Sequence, residues 1–237
     1  AVISIMYGRS FKRATLMAVM MGGFSSMAFQ LLILLTFQTM YGYLFYELGI
    51  ILTAFMAGLA LGAIFAAVIA SEPRTAWVRD KLRERSNPAF WDCFVGLRPP
   101  RNDEVACDLA MTKKAVRYYR ILLIAIQGDL IIFSILLGAI FSKFCPDFLF
   151  PVLSVIAGSI AGAQFAIANK ILLGRKKDVA TVGGLSYGVD LFGSFLGALL
   201  TGIFLIPILG IPKTCFAVAL INFAVMLLLF VNMRVVE

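Results

Sequence analysis

Two carboxylates, Asp129 and Asp190, stand inside long apolar runs, the first in Gln127-Gly128-Asp129 and the second in YGVDLFGSFLGALL. The amides Gln30, Gln38, Gln164, Asn169 and Asn222 occur in similar company. A carboxylate in such a setting can hold a cation, take up a proton or contact a cationic ligand, and it costs ~2.5–3.5 kcal/mol at the centre of a bilayer. Gln30 and Gln164 suit either a ligand contact or a hydrogen bond between helices. Other chemistry lacks its residues. With no histidine in the chain, no Ser/His or Cys/His pair, His-held haem or His-held metal can form. Neither G-x-x-x-x-G-K nor G-x-G-x-x-G after a strand occurs, so no phosphate loop is expected. We therefore expect no catalysis, no cofactor and no metal.

The elements that must position these groups are transmembrane helices. Hydrophobic residues make up 61% of the 237 residues and charged residues 14%, with mean hydropathy +0.95. Soluble domains are far less apolar and more charged. Six windows reach the ~20 residues a bilayer requires: 14–37, 47–70, 121–141, 149–172, 187–209 and 214–233. No removable signal peptide is recognisable, and the start at Ala1 suggests a processed or partial chain. With six alternating spans, every Lys and Arg except Lys143 and Lys213 falls on one side. The positive-inside rule then puts both termini and the 71–120 loop in the cytoplasm, in keeping with a bacterial inner membrane. This placement, rather than nucleic-acid binding, accounts for the +8 net charge. In this scheme Asp190 sits one turn inside the cytoplasmic end of its span, where it favours the helix N-terminus. Asp129 lies near mid-span. Cys93 and Cys107 read as reduced thiols, while Cys145 and Cys215 fall at the outer surface, where a disulfide could join them.

Small residues recur every four positions: Ala54, Gly58, Gly62 and Ala66; Ser154, Gly158, Gly162 and Ala166; Gly193, Gly197 and Thr201. Such stripes let membrane helices approach closely. Gly58-x-x-x-Gly62-Ala63 and Gly193-x-x-x-Gly197-Ala198 are 135 residues apart, and Gln30 and Gln164 are 134 apart. These offsets suggest a three-plus-three inverted repeat. Gly183-Gly184 reads as a flexible lead-in to the fifth span. In the 71–120 loop, Asn87-Pro88 opens a short helix bearing Trp91 and Phe94. With its flanking basic residues, that segment suits the headgroup layer or a cytoplasmic partner, for which Trp91 and Phe94 are candidate docking residues.

The stretches Gly23 to Gln30, FQTMYGYLFYELGIILTAFMAGLALGA and GGLSYGVDLFGSFLGALLTGIFLIPILG resemble membrane-embedded spermidine-synthase-like proteins. In that family, helices distantly similar to half of a major-facilitator-type fold accompany a cytoplasmic aminopropyltransferase-type domain. The resemblance places Asp190 in a Tyr-x-x-Asp-x-x-Gly signature. Gln30 stands where the family often has glutamate, and Gln164-Phe165-Ala166 lacks the usual proline in third place. The synthase domain has no counterpart here, so its activity does not carry over. The resulting expectation is an all-α six-helix membrane bundle that anchors or assembles a larger complex, or a synthase-like cytoplasmic domain. The alternative is a half-transporter for a small cation such as a polyamine. Expected partners are the lipid bilayer, other membrane or cytoplasmic subunits, or a second copy in a homodimer.

Overall fold

A computed structural model describes residues 2–42, 45–71, 113–142, 146–173 and 179–234. Its described residues are all-helical: α1 (Val2–Tyr41), α2 (Phe45–Ser71), α3 (Lys113–Phe141), α4 (Leu149–Leu173), α5 (Val179–Leu200), the short α6 (Ile206–Leu209) and α7 (Ile211–Arg234). Trp91, Phe94, Cys93, Cys107 and Cys145 lie outside the described residues. Six stretches are long and apolar enough to cross a membrane: Arg13–Tyr41, Phe45–Ile69, Tyr118–Phe141, Leu149–Leu173, Ala180–Leu209 and Ile211–Val231. The protein is a multi-pass six-helix membrane bundle.

Three pairings organise it: α2 on α4, α1 on α5 and α3 on α7, joined through α1 against α4 and α7 and α3 against α4. The α1 span is 67% buried and the α5 span 17%, so α1 is the central post and α5 a peripheral one. The core runs from Phe24, Phe29 and Leu32 on α1 to Phe133 on α3, Phe150 on α4 and Val218 on α7. Phe29 meets Phe133 edge-on at 5.2 Å, and Phe37 meets Phe150 at 5.3 Å. These T-shaped contacts suit the ring quadrupoles.

Glycine brings the paired backbones together. A Cβ on Gly58 would strike the Val155 carbonyl oxygen, and one on Gly62 that of Ser159. From the other side, Gly158 faces the Phe55 carbonyl and Gly162 that of Leu59. Residue numbers rise together across this interface, so α2 and α4 run parallel. In the second pair, Gly193 faces the carbonyl of Met20, Gly197 that of Phe24, and Gly23 that of Asp190. Each of these contacts maps onto one in the first pair by a shift of 135 residues: 58 and 155 onto 193 and 20, 62 and 159 onto 197 and 24, 158 and 55 onto 23 and 190. The helix pairing obeys the same rule, with α1 matching α4, α2 matching α5 and α3 matching α7. The three-plus-three repeat is therefore built into the packing. Its register is 135, not 134. Gln30 and Gln164 are consequently not equivalents, because one residue of slip turns a side chain by about 100°.

The peripheral post ends irregularly. Pro207 cannot donate a backbone hydrogen bond and its ring crowds the preceding turn. The helix widens into a π turn over Thr201–Leu205 just before it. From α7, the Thr214 hydroxyl donates to the Leu205 carbonyl at 3.0 Å, fastening this irregular turn to the next span. Gly210, with φ of 76°, then reverses the chain in a left-handed conformation natural only to glycine.

One sequence expectation is corrected here. The Gly183-Gly184 pair lies within α5, which begins at Val179. Glycine's entropic cost in a helix is modest beside the cost of unpaired backbone in lipid. Cys215, four residues into α7, is buried against α3, its Cβ only 3.1 Å from where a Cβ on Gly138 would stand; Cys145, with which a disulfide is suggested, lies outside the described residues.

Candidate functional site: a polar layer at mid-span

Halfway along α1, the consecutive glycines Gly22 and Gly23 open two seats. A Cβ on Gly22 would lie 2.8 Å from the Gln164 amide group of α4. One on Gly23 would lie 2.8 Å from the Asp190 carboxylate and 2.9 Å from the Ser194 hydroxyl, both on α5. Missing side chains thus admit a polar group on each side of the central helix. Consecutive glycines in the middle of an apolar span were the available signal for this device, which sequence reasoning passed over.

The seat at Gly22 belongs to a continuous hydrogen-bonded chain. The Gln164 amide donates to the Ala18 carbonyl at 2.9 Å and to the Gln127 side-chain oxygen at 3.0 Å. Gln127 donates to the Asn222 side-chain oxygen at 2.7 Å, and Asn222 donates to the Ser25 hydroxyl at 2.8 Å. Four helices, α1, α3, α4 and α7, are thereby tied at one level, and all four side chains are buried. Bonds of this kind average ~0.6 kcal/mol in membranes, with a maximum near 1.7. Nearby, the Ser186 hydroxyl of α5 donates to the Asn169 side-chain oxygen of α4.

Asp190 is deeper than the sequence suggested. Because the fifth span begins at Ala180 rather than at 187, the carboxylate lies about 15 Å along it, at 1.5 Å per residue. It is a half-buried mid-span group and not a helix-end residue. Gln30 is 6% exposed, and neither its amide nitrogen nor its oxygen has a hydrogen-bond partner. The hydroxyls of Ser154 and Thr201 are buried in the same condition.

Asp129 points the other way. Residues two apart on a helix are about 200° apart around it. With Gln127 inside the network, Asp129 is turned outward and is exposed, about 16 Å into the Tyr118–Phe141 span. The structure therefore brings Gln164 together with Gln127 and Asn222, and brings Asp190 to Gly23 and Ser194. It does not bring Asp129 to Asp190, nor Gln30 to Gln164.

The described residues contain no group of three or more His, Cys, Asp or Glu that could hold a metal. A shallow open depression of about 170 Å³ lies at the far end of the bundle, lined by Phe37, Tyr46, Glu47, Ile51, Asp147 and Phe148 among others. It is remote from the mid-span layer. No protein-family model, curated protein or solved structure matches the chain.

Proposed function

We propose that this chain is a non-catalytic membrane subunit that anchors and assembles a larger membrane complex, or a cytoplasmic domain carried with it. One observation supports this reading most directly: four inward polar side chains, one each from α1, α3, α4 and α7, are spent on one another. Gln164, Gln127, Asn222 and Ser25 close a chain between helices, as structural cross-links do. Beyond that chain, Gln30 and Ser154 are buried without a partner, and the exposed carboxylate of Asp129 lies on an outer face. The resemblance to membrane-embedded spermidine-synthase-like proteins also supports it, since their helices accompany a soluble domain. The one-sided basic residues favour cytoplasmic termini in a bacterial inner membrane. Co-purification from the native membrane tests the proposal: stoichiometric partner polypeptides are expected, and a solitary chain would refute it.

A second reading, half of a carrier for a small cation, is favoured by one feature. Asp190 is a half-buried carboxylate at mid-depth beside the Ser194 hydroxyl, on the peripheral helix α5. A second half packed on α5 would enclose it. On this reading Asp190→Asn abolishes substrate-dependent flux in proteoliposomes while leaving the bundle folded. Unchanged flux would sink it.

A further inference from the structure

We infer that the outer face of α3 is a docking surface for a membrane-spanning helix of another protein that carries one lysine or arginine at mid-depth. The inference rests on the assembly reading above and names the partner's chemistry. The face is a stripe of exposed residues at helical spacing, Ile121, Ala125, Asp129, Ile132 and Leu136. Apolar members on either side of Asp129 would suit lipid alone, as Ile121, Ile132 and Leu136 do, each at least half exposed. The carboxylate would not suit it. A lone charge at this depth is costly, and acids within spans normally face a bundle interior or a partner group. Asp129 does neither: it is turned outward, and the described residues supply it no ion pair.

The surface beside it is shaped for close approach. Gly128 has nothing within 4 Å of where its Cβ would stand, and Ala125 is one turn away. Small residues flanking a polar group let a second helix come near enough for a direct hydrogen-bonded ion pair. A second copy of this chain does not meet the need. Across a two-fold axis the stripe would bring Asp129 against Asp129, a like-charge pair. The chain's own described cations within the spans, Arg13, Arg120, Lys170 and Lys213, all stand within four residues of a span end. A mid-depth cation must come from elsewhere.

The test reconstitutes the full chain, labelled at Leu220→Cys on the exposed face of the neighbouring α7, in phosphatidylcholine vesicles with synthetic Leu-Ala transmembrane peptides. The peptides carry a central Lys, a central Leu or a central Glu, and association is read by energy transfer. The Lys peptide is expected to associate at least 10-fold more tightly than the Leu or Glu peptides. Asp129→Leu should abolish that preference, and Asp129→Asn should reduce it several-fold. Both variants leave inward packing untouched, and retention of the Gln127 network is checked by their unfolding in mixed micelles. Equal binding of the three peptides, a preference that survives Asp129→Leu, or self-association of the chain that Asp129→Leu abolishes would overturn the inference. In the native membrane, Asp129→Leu should release a partner whose span holds a central Lys or Arg. A complex that persists intact with Asp129→Leu would refute this surface while leaving the assembly reading standing; a wild-type chain with no partner would refute both.

Discussion

The α2–α4 and α1–α5 interfaces are the same backbone device used twice, and one matched position shows most plainly how they differ in character. Where α2 presents Phe55 over Gly158, α5 presents Asp190 over Gly23. Phe55 is 4% exposed and belongs to the core, whereas Asp190 is half-buried beside Ser194. The glycine contacts are specified by the backbone, and carbonyl oxygens face a bare Cα in both copies, a geometry that recurs between closely packed helices. The side chain beyond that contact is free to differ. Duplication of packing therefore fixes where a polar group can sit at mid-depth without fixing that one must sit there.

Replacing the bare positions should break the comparison most severely. Gly62→Leu and its counterpart Gly197→Leu each drive a large side chain into a backbone carbonyl. Each is expected to destabilise by on the order of 3 kcal/mol or to prevent folding, read by SDS titration of the purified protein. If only one of the pair is damaging, the two interfaces are not equivalent. Gly23→Ala distinguishes them further: its methyl group meets the Asp190 carboxylate and the Asp190 carbonyl, and a loss of roughly 1–3 kcal/mol is expected. The combination Gly23→Ala with Asp190→Ala should recover only part of this, because the carbonyl clash remains.

Removing the hydrogen-bonded chain has a smaller effect. Gln127→Leu strips a donor from Asn222 and an acceptor from Gln164, for a loss of about 1 kcal/mol in the same titration. A loss above ~3 kcal/mol would mean that the layer organises the fold rather than fastening it. Smallest of all is Gly128→Ala, whose methyl group enters open space. It should leave stability unchanged or raise it by up to ~1 kcal/mol through helix propensity. Clear destabilisation would place a neighbour where the structure has none.

The number of helices was readable from hydropathy, and the close-packing glycines from their four-residue spacing. Depth and facing were harder. By local propensity Gly183-Gly184 reads as a flexible lead-in, which starts the fifth span at 187 and puts Asp190 near a membrane surface. In lipid the backbone must stay hydrogen-bonded, so the helix continues through both glycines to Val179. Likewise Gln127 and Asp129 stand two residues apart in sequence, yet a helix sends them to opposite sides. Only the partner helices decide which faces inward. The repeat was visible through its glycines but misregistered through its glutamines, since polar residues answer to local partners and packing glycines to the shared backbone geometry. Trp91 and Phe94, the other candidate docking residues, fall outside the described segments.

The most direct test of the assembly account is the mass and composition of the native particle. The chain is extracted from its own membrane in mild detergent, and every polypeptide that travels with it is weighed and quantified. The account predicts a particle well above the 25.9 kDa of the chain once detergent is subtracted, with at least one other polypeptide in fixed stoichiometry. A particle containing this chain alone, as monomer or homodimer, would contradict it.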